Sequence, residues 1–146
     1  MTRRQIRETI FKMIFRVEFH EREELSGQLV LLKDELEGRP ESDGAWELAS
    51  EEEEAYINAK STDIIAHIDE LDAAINERAF GWKSSRMSKV DLSIIRLALY
   101  EIRYEEAIPM KVAINEAVEL AKTYGTNDSA SFVNGVLAKF AKEDKE

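Results

Sequence analysis

Arginines and phenylalanines interleave near the start of the chain, in RRQIRETIFKMIF at residues 3–15. On a helical wheel Arg4, Arg7, Phe11 and Phe15 fall within about 80 degrees of one another, so guanidinium groups stand beside aromatic rings. That combination suits single-stranded nucleic acid, whose bases stack on rings while its phosphates are neutralised by cations. The same spacing also fits two rings packed beneath another helix or against a second copy of the chain, with the arginines solvated. Both readings are compatible with the residues alone. The opposite side of this helix, at about residues 4 to 20, carries Ile6, Ile10, Met13, Ile14 and Val17 and reads as core.

Other chemistry is sparse. With no cysteine there is neither a disulfide nor a thiolate nucleophile or metal ligand. His20 and His67 are far apart and lack ligand spacing, and both read as surface or edge residues. The run Glu51 to Glu54 suits the positive end of a helix better than it suits a metal. Glu101 falls in the densest apolar arc of its helix, so its carboxylate must be paired or hydrogen-bonded and reads as structural. No phosphate-cradling glycine loop or nucleophile elbow is present. These observations point away from an enzyme and imply no cofactor and no metal.

Punctuation and periodicity give the elements that must position these residues. Leu25, Leu29, Leu32 and Leu36 mark a helix over 23–37, followed by a polar loop from Gly38 to Gly44. Ser50 and Glu53 form a capping box opening a long helix to about residue 78, with a break expected near Ser61 and Thr62. Trp82 is expected to anchor the core. Ser88 and Asp91 open a helix to about Tyr104 that is apolar nearly all round and must be central. Pro109 suits the first turn of the next helix, and Gly125 suits a left-handed stop after it. Between them Ala113, Ala117 and Ala121 line an apolar arc and allow a neighbour to approach closely. Asn127 or Asp128 is expected to cap the last helix. That helix stripes Val133, Val136, Leu137 and Phe140, while Phe132 and Gly135 sit out of place: Phe132 lies off the stripe, and Gly135 costs roughly 1 kcal/mol in a helix interior.

The chain of 146 residues is long enough for one domain with a real core, so a single domain over 1–146 is expected. Its net charge of −10 argues against indiscriminate nucleic-acid binding, but the distribution is uneven. Residues 1–22 hold six basic against three acidic side chains, whereas residues 23–54 hold two against twelve. Positive charge is therefore concentrated at one end. No signal peptide or membrane span is legible, and a cytoplasmic location is expected.

The segments VAINEAVELAK, YG and SASFVNGVL, from Val112 to Leu137, resemble the carboxy-terminal signature of the NusB family. SKVDLSIIRLALYEI resembles the helix preceding that signature, and RRQIRETIFKMIF resembles the family's arginine-rich first helix; residues 23–80 match only in helical character and length. The resemblance implies an all-α fold of about seven helices in two packed subbundles, the first carrying the basic end and the second built after Trp82. It further implies an antitermination factor that binds boxA RNA with the ribosomal protein NusE, in a complex on RNA polymerase that supports ribosomal RNA synthesis. Carried over by resemblance, Arg3, Arg4, Arg7, Lys12 and Phe15 would face RNA, as would Asp128 and Phe132. Asp91, expected at the exposed start of the central helix, would sit near RNA and NusE. The family often has a tyrosine where this chain has Phe15, which keeps stacking and loses a hydrogen bond. Two other readings share the resemblance. One is a homodimer that buries Phe11 and Phe15 and so occludes the RNA surface; the other is the NusB-like domain of ribosomal RNA methyltransferases, against which the chain length speaks.

Overall fold

The computed structural model describes residues 1–18, 50–79 and 83–141. The expected helix over 23–37, the loop from Gly38 to Gly44, His20 and Trp82 lie outside these residues. Among the described residues there are six α-helices, a single 3-10 turn at Ser84–Arg86 and no strand. The helices are α1 (Arg3–Arg16), α2 (Glu51–Ala66), α3 (Ile68–Arg78), α4 (Lys89–Tyr104), α5 (Met110–Tyr124) and α6 (Ser129–Ala141). The all-α class agrees with the sequence. The chain divides into two compact units, Met1–Ile65 and Ala66–Glu146.

In the first unit α1 buries Ile10, Phe11, Met13 and Ile14, and α2 buries Ile57, Ile64 and Ile65. Ser50 and Glu53 form the expected capping box: the Glu53 N–H donates to Ser50 Oγ at 3.1 Å, and the Ser50 N–H donates to Glu53 Oε1 at 2.9 Å. The predicted break near Ser61 is absent. Instead α2 runs on to Ala66, and the backbone turns at His67, with φ −102° and ψ 7°.

The second unit begins earlier than the sequence suggests, since α3 belongs to it rather than to the first. The cause is a set of long-range contacts between α3 and α4. Arg96 donates to both Asp72 carboxylate oxygens, at 2.8 and 2.7 Å, a bidentate pair with the guanidinium only 5% exposed. Tyr104 Oη donates to Glu70 at 2.5 Å, and the His67 ring lies 4.9 Å from that of Tyr104 and 6.3 Å from that of Tyr100. These contacts fasten the start of α3 to the end of α4, which is why the turn falls at His67.

Around this clasp α4 is the centre of the unit, with every residue from Leu92 to Glu101 buried. Helices α3, α5 and α6 all pack on it. The predicted alanine face of α5 is buried at Ala113, Ala117 and Ala121, and the α6 stripe of Val133, Val136, Leu137 and Phe140 is at most 4% exposed. Small side chains on α5 let the neighbouring backbones come near, and the larger side chains of α6 fill the space between. Pro109 stands one position before the helix proper, at the N-cap with an extended ψ of 141°, and its carbonyl accepts from the Ala113 N–H at 3.1 Å.

Gly125 ends α5 for a different reason from the one expected. Its backbone is extended, with φ −95° and ψ −166°, not left-handed. A Cβ there would overlap the Ser129 side chain and stand 2.8 Å from the Ala121 carbonyl oxygen. Glycine is thus required by the tight approach of α6 to the end of α5, not by dihedral freedom.

Candidate nucleic-acid interface

The basic face starts from the way α1 begins. Thr2 Oγ1 accepts from the Gln5 N–H at 3.0 Å, and Gln5 Oε1 accepts from the Thr2 N–H at 2.8 Å, a reciprocal cap that fixes the first turn. The α-ammonium of Met1 pairs with Glu53 Oε2 at 3.0 Å, which ties the beginning of α1 to the beginning of α2 within the first unit. The Ser50 backbone hydrogen bond, followed by the hydrogen bond from the α-amino group, holds the Glu53 carboxyl below its usual value of 4.5.

On that fixed turn Arg3 and Arg4 are exposed, while Arg7, Lys12 and Phe15 are half-buried. Phe11 is 3% exposed, so it belongs to the core and not to a stacking surface. Its ring centroid lies 6.2 Å from that of Phe15, which leaves Phe15 seated on a buried aromatic with part of its ring toward solvent. Of the two rings in the sequence pattern, Phe11 is buried and Phe15 is half-buried.

The charge at this turn runs against the helix. The first turn of α1 holds arginines and no acidic residue, whereas the first turn of α2 holds four glutamates. Cations at a helix amino terminus face a like partial charge and forgo roughly 0.3–1 kcal/mol each relative to the favourable arrangement. The helix dipole therefore does not account for arginines at this turn.

The second group of residues lies where α6 starts. The Thr126 N–H donates to Ser129 Oγ at 2.9 Å, and the Asp128 carbonyl accepts from the Phe132 N–H at 3.0 Å. Ser129 Oγ thus ties the first residue of α6 back to the turn that precedes it. Asp128 is exposed and Phe132 is half-buried, one helical turn apart on one face. The third location, Asp91 in the first turn of α4, is half-buried and not exposed as expected. Its N–H donates to Ser88 Oγ at 3.1 Å, and its Oδ1 is buried with no hydrogen-bond partner among the described residues.

The structure accordingly brings Arg3, Arg4, Arg7, Lys12 and Phe15 together on α1 in the first unit. In the second unit it brings Asp128 and Phe132 together on α6 and places Asp91 on α4. Sequence reasoning missed the Asp72–Arg96 pair that fixes α4. The available signal was an arginine inside a helix otherwise apolar on every side, which has to find a carboxylate.

A model of the NusB family matches residues 4–142. The chain belongs to the NusB family. Among similar proteins, a transcription antitermination protein NusB of Agathobacter rectalis is 57% identical over 97% of this chain and all of its own length. Another, from Lachnoclostridium phytofermentans, is 48% identical over 95% of this chain and 98% of its own. The solved structure of T. maritima NusB superposes with a TM-score of 0.82 at 34% identity, covering 98% of this chain and 92% of that one. The NusB match spans α1 from Arg4 through α6, so every candidate residue except Arg3 lies within the family-matched stretch. No helix among the described residues is long and apolar enough to cross a membrane.

Proposed function

We propose that this protein is a transcription antitermination factor that binds boxA RNA together with the ribosomal protein NusE and supports ribosomal RNA transcription on RNA polymerase. The observation that carries the reading is the counter-dipole arginine pair: Arg3 and Arg4, exposed at the capped start of α1, with Arg7, Lys12 and Phe15 along the same helix. Membership of the NusB family and the likeness to transcription antitermination proteins support the reading. The cations position the phosphate backbone, and Phe15 and Phe132 offer surfaces for unpaired bases.

Net charge supports the need for a partner. A chain at −10 that presents about four cations binds a single strand weakly, so a basic protein completes the site. Asp91 is suited to the partner side, because its buried Oδ1 accepts no hydrogen bond within the described chain and would gain one from a donor brought by NusE. The homodimer reading loses one of its two rings, since Phe11 is already buried in its own chain.

Titration of boxA RNA by fluorescence anisotropy, with and without NusE and at several salt concentrations, tests the proposal. Tighter binding with NusE present is expected. Equal affinity in both series would remove the cooperative part of the reading.

A further inference from the structure

Two glycines near the candidate RNA surface differ in what the fold requires of them. Gly125 is needed inside the chain, as its Cβ would overlap Ser129. Gly135 is not: it lies in the interior of α6, is exposed, and a Cβ built on it meets nothing within 4 Å. An interior helical glycine lowers stability relative to alanine because the unfolded chain has more freedom to lose. Among the described residues, nothing packed at Gly135 returns that cost.

The position of Gly135 shows where an external return would come from. On α6, Asp128 lies three residues from Ser131 and four from Phe132, and Gly135 lies four from Ser131 and three from Phe132. Residues at these spacings are neighbours on a helix surface, so the four form one patch with Gly135 at its far corner. Asp128 and Ser131 are exposed and Phe132 is half-buried, so the patch offers part of an aromatic ring, a hydroxyl and, at Gly135, bare backbone. A base stacked on Phe132 would have its ribose beside the neighbouring surface of α6, where Gly135 adds no side chain.

We propose that Gly135 is a contact residue for single-stranded RNA, its missing side chain admitting the ribose of the nucleotide stacked on Phe132. The inference rests on the RNA-binding reading above and extends it by one residue and one subsite. No charge is involved, so the contribution of Gly135 is one of fit.

The test is Gly135→Ala, with thermal unfolding and anisotropy of a boxA oligonucleotide and a scrambled single strand measured on the wild type and the variant. Alanine should raise the Tm by roughly 2–4 °C for a chain of this size. It should also weaken boxA binding by roughly tenfold, as one misplaced methyl group does in a fitted site. The dependence of binding on salt should not change, because no cation is removed. A raised Tm with unchanged or tighter RNA binding overturns the proposal, and so does a lowered Tm, which would show an internal need for glycine. Failure of the underlying reading looks different: the wild type itself would not distinguish boxA from the scrambled strand, and the proposal would fall with it.

Discussion

Replacing Arg3 and Arg4 together with glutamine removes the two exposed arginines at the start of α1 and leaves Arg7 and Lys12. Glutamine is a good helix former, and taking positive charge from a helix amino terminus is favourable by itself, so the variant should fold at least as well. The consequence for RNA follows from counterion release, with a slope of log affinity against log salt of about −0.7 per neutralised phosphate on a single strand. Four contacts give a slope near −2.8, and two give one near −1.4. Between 50 and 200 mM salt the wild type should lose roughly 50-fold in affinity and the double variant roughly sevenfold. If the two proteins converge near 1 M salt, the penalty of the substitution shrinks from roughly 65-fold at 50 mM to roughly tenfold at 200 mM. Anisotropy titrations with boxA RNA at four salt concentrations measure both slopes, and circular dichroism checks the helices. A loss of the same factor at every salt concentration, or no loss, would refute the assignment of these arginines to phosphates.

Three further expectations concern the scaffold that holds the site. Asp72→Ala takes the bidentate carboxylate from the nearly buried Arg96 guanidinium and should cost about 3 kcal/mol in urea unfolding, whereas Arg96→Met leaves a carboxylate that water can reach and should cost about 1 kcal/mol. Equal costs would contradict the asymmetry of burial. Gly125→Ala should destabilise by roughly 1–3 kcal/mol through overlap with Ser129 and the Ala121 carbonyl, and a stabilised variant in thermal unfolding would count against that packing. Because the folded Glu53 carboxyl titrates below its usual 4.5, the folded state binds fewer protons than the unfolded state as acid is added. Its stabilising contribution is therefore present above that value and lost as pH falls through the folded one. Glu53→Gln should flatten the acid limb of the stability profile, and identical limbs would contradict the assignment.

The helices were legible from the sequence where period and punctuation coincide, as in α5 between Pro109 and Gly125 and in the α6 stripe through Phe140. What escaped depends on contacts between distant residues. The His67 ring at the turn packs on Tyr100 and Tyr104, neither of which is near enough in sequence to enter a local pattern. Gly125 was identified as a helix stop, but its reason is the Ser129 side chain arriving from the next helix. Within the candidate site, residue types gave the chemistry and burial decided its members. Phe11 and Phe15 share a face on the wheel, yet Phe11 goes inward and Phe15 stays partly outside, because the buried arc of α1 is wider than its aliphatic stripe. Asp91 was placed at an exposed helix start from the Ser88 cap alone, and the cap does hold while the carboxylate is half covered.

The central claim is that the exposed basic start of α1 takes the phosphate backbone of a single-stranded RNA. Chemical-shift mapping of the isotope-labelled protein during a boxA RNA titration tests it most directly. Signals of Arg3, Arg4, Arg7 and Phe15 should move together along a single binding isotherm. Signals of these four residues that stay in place while others shift would contradict it.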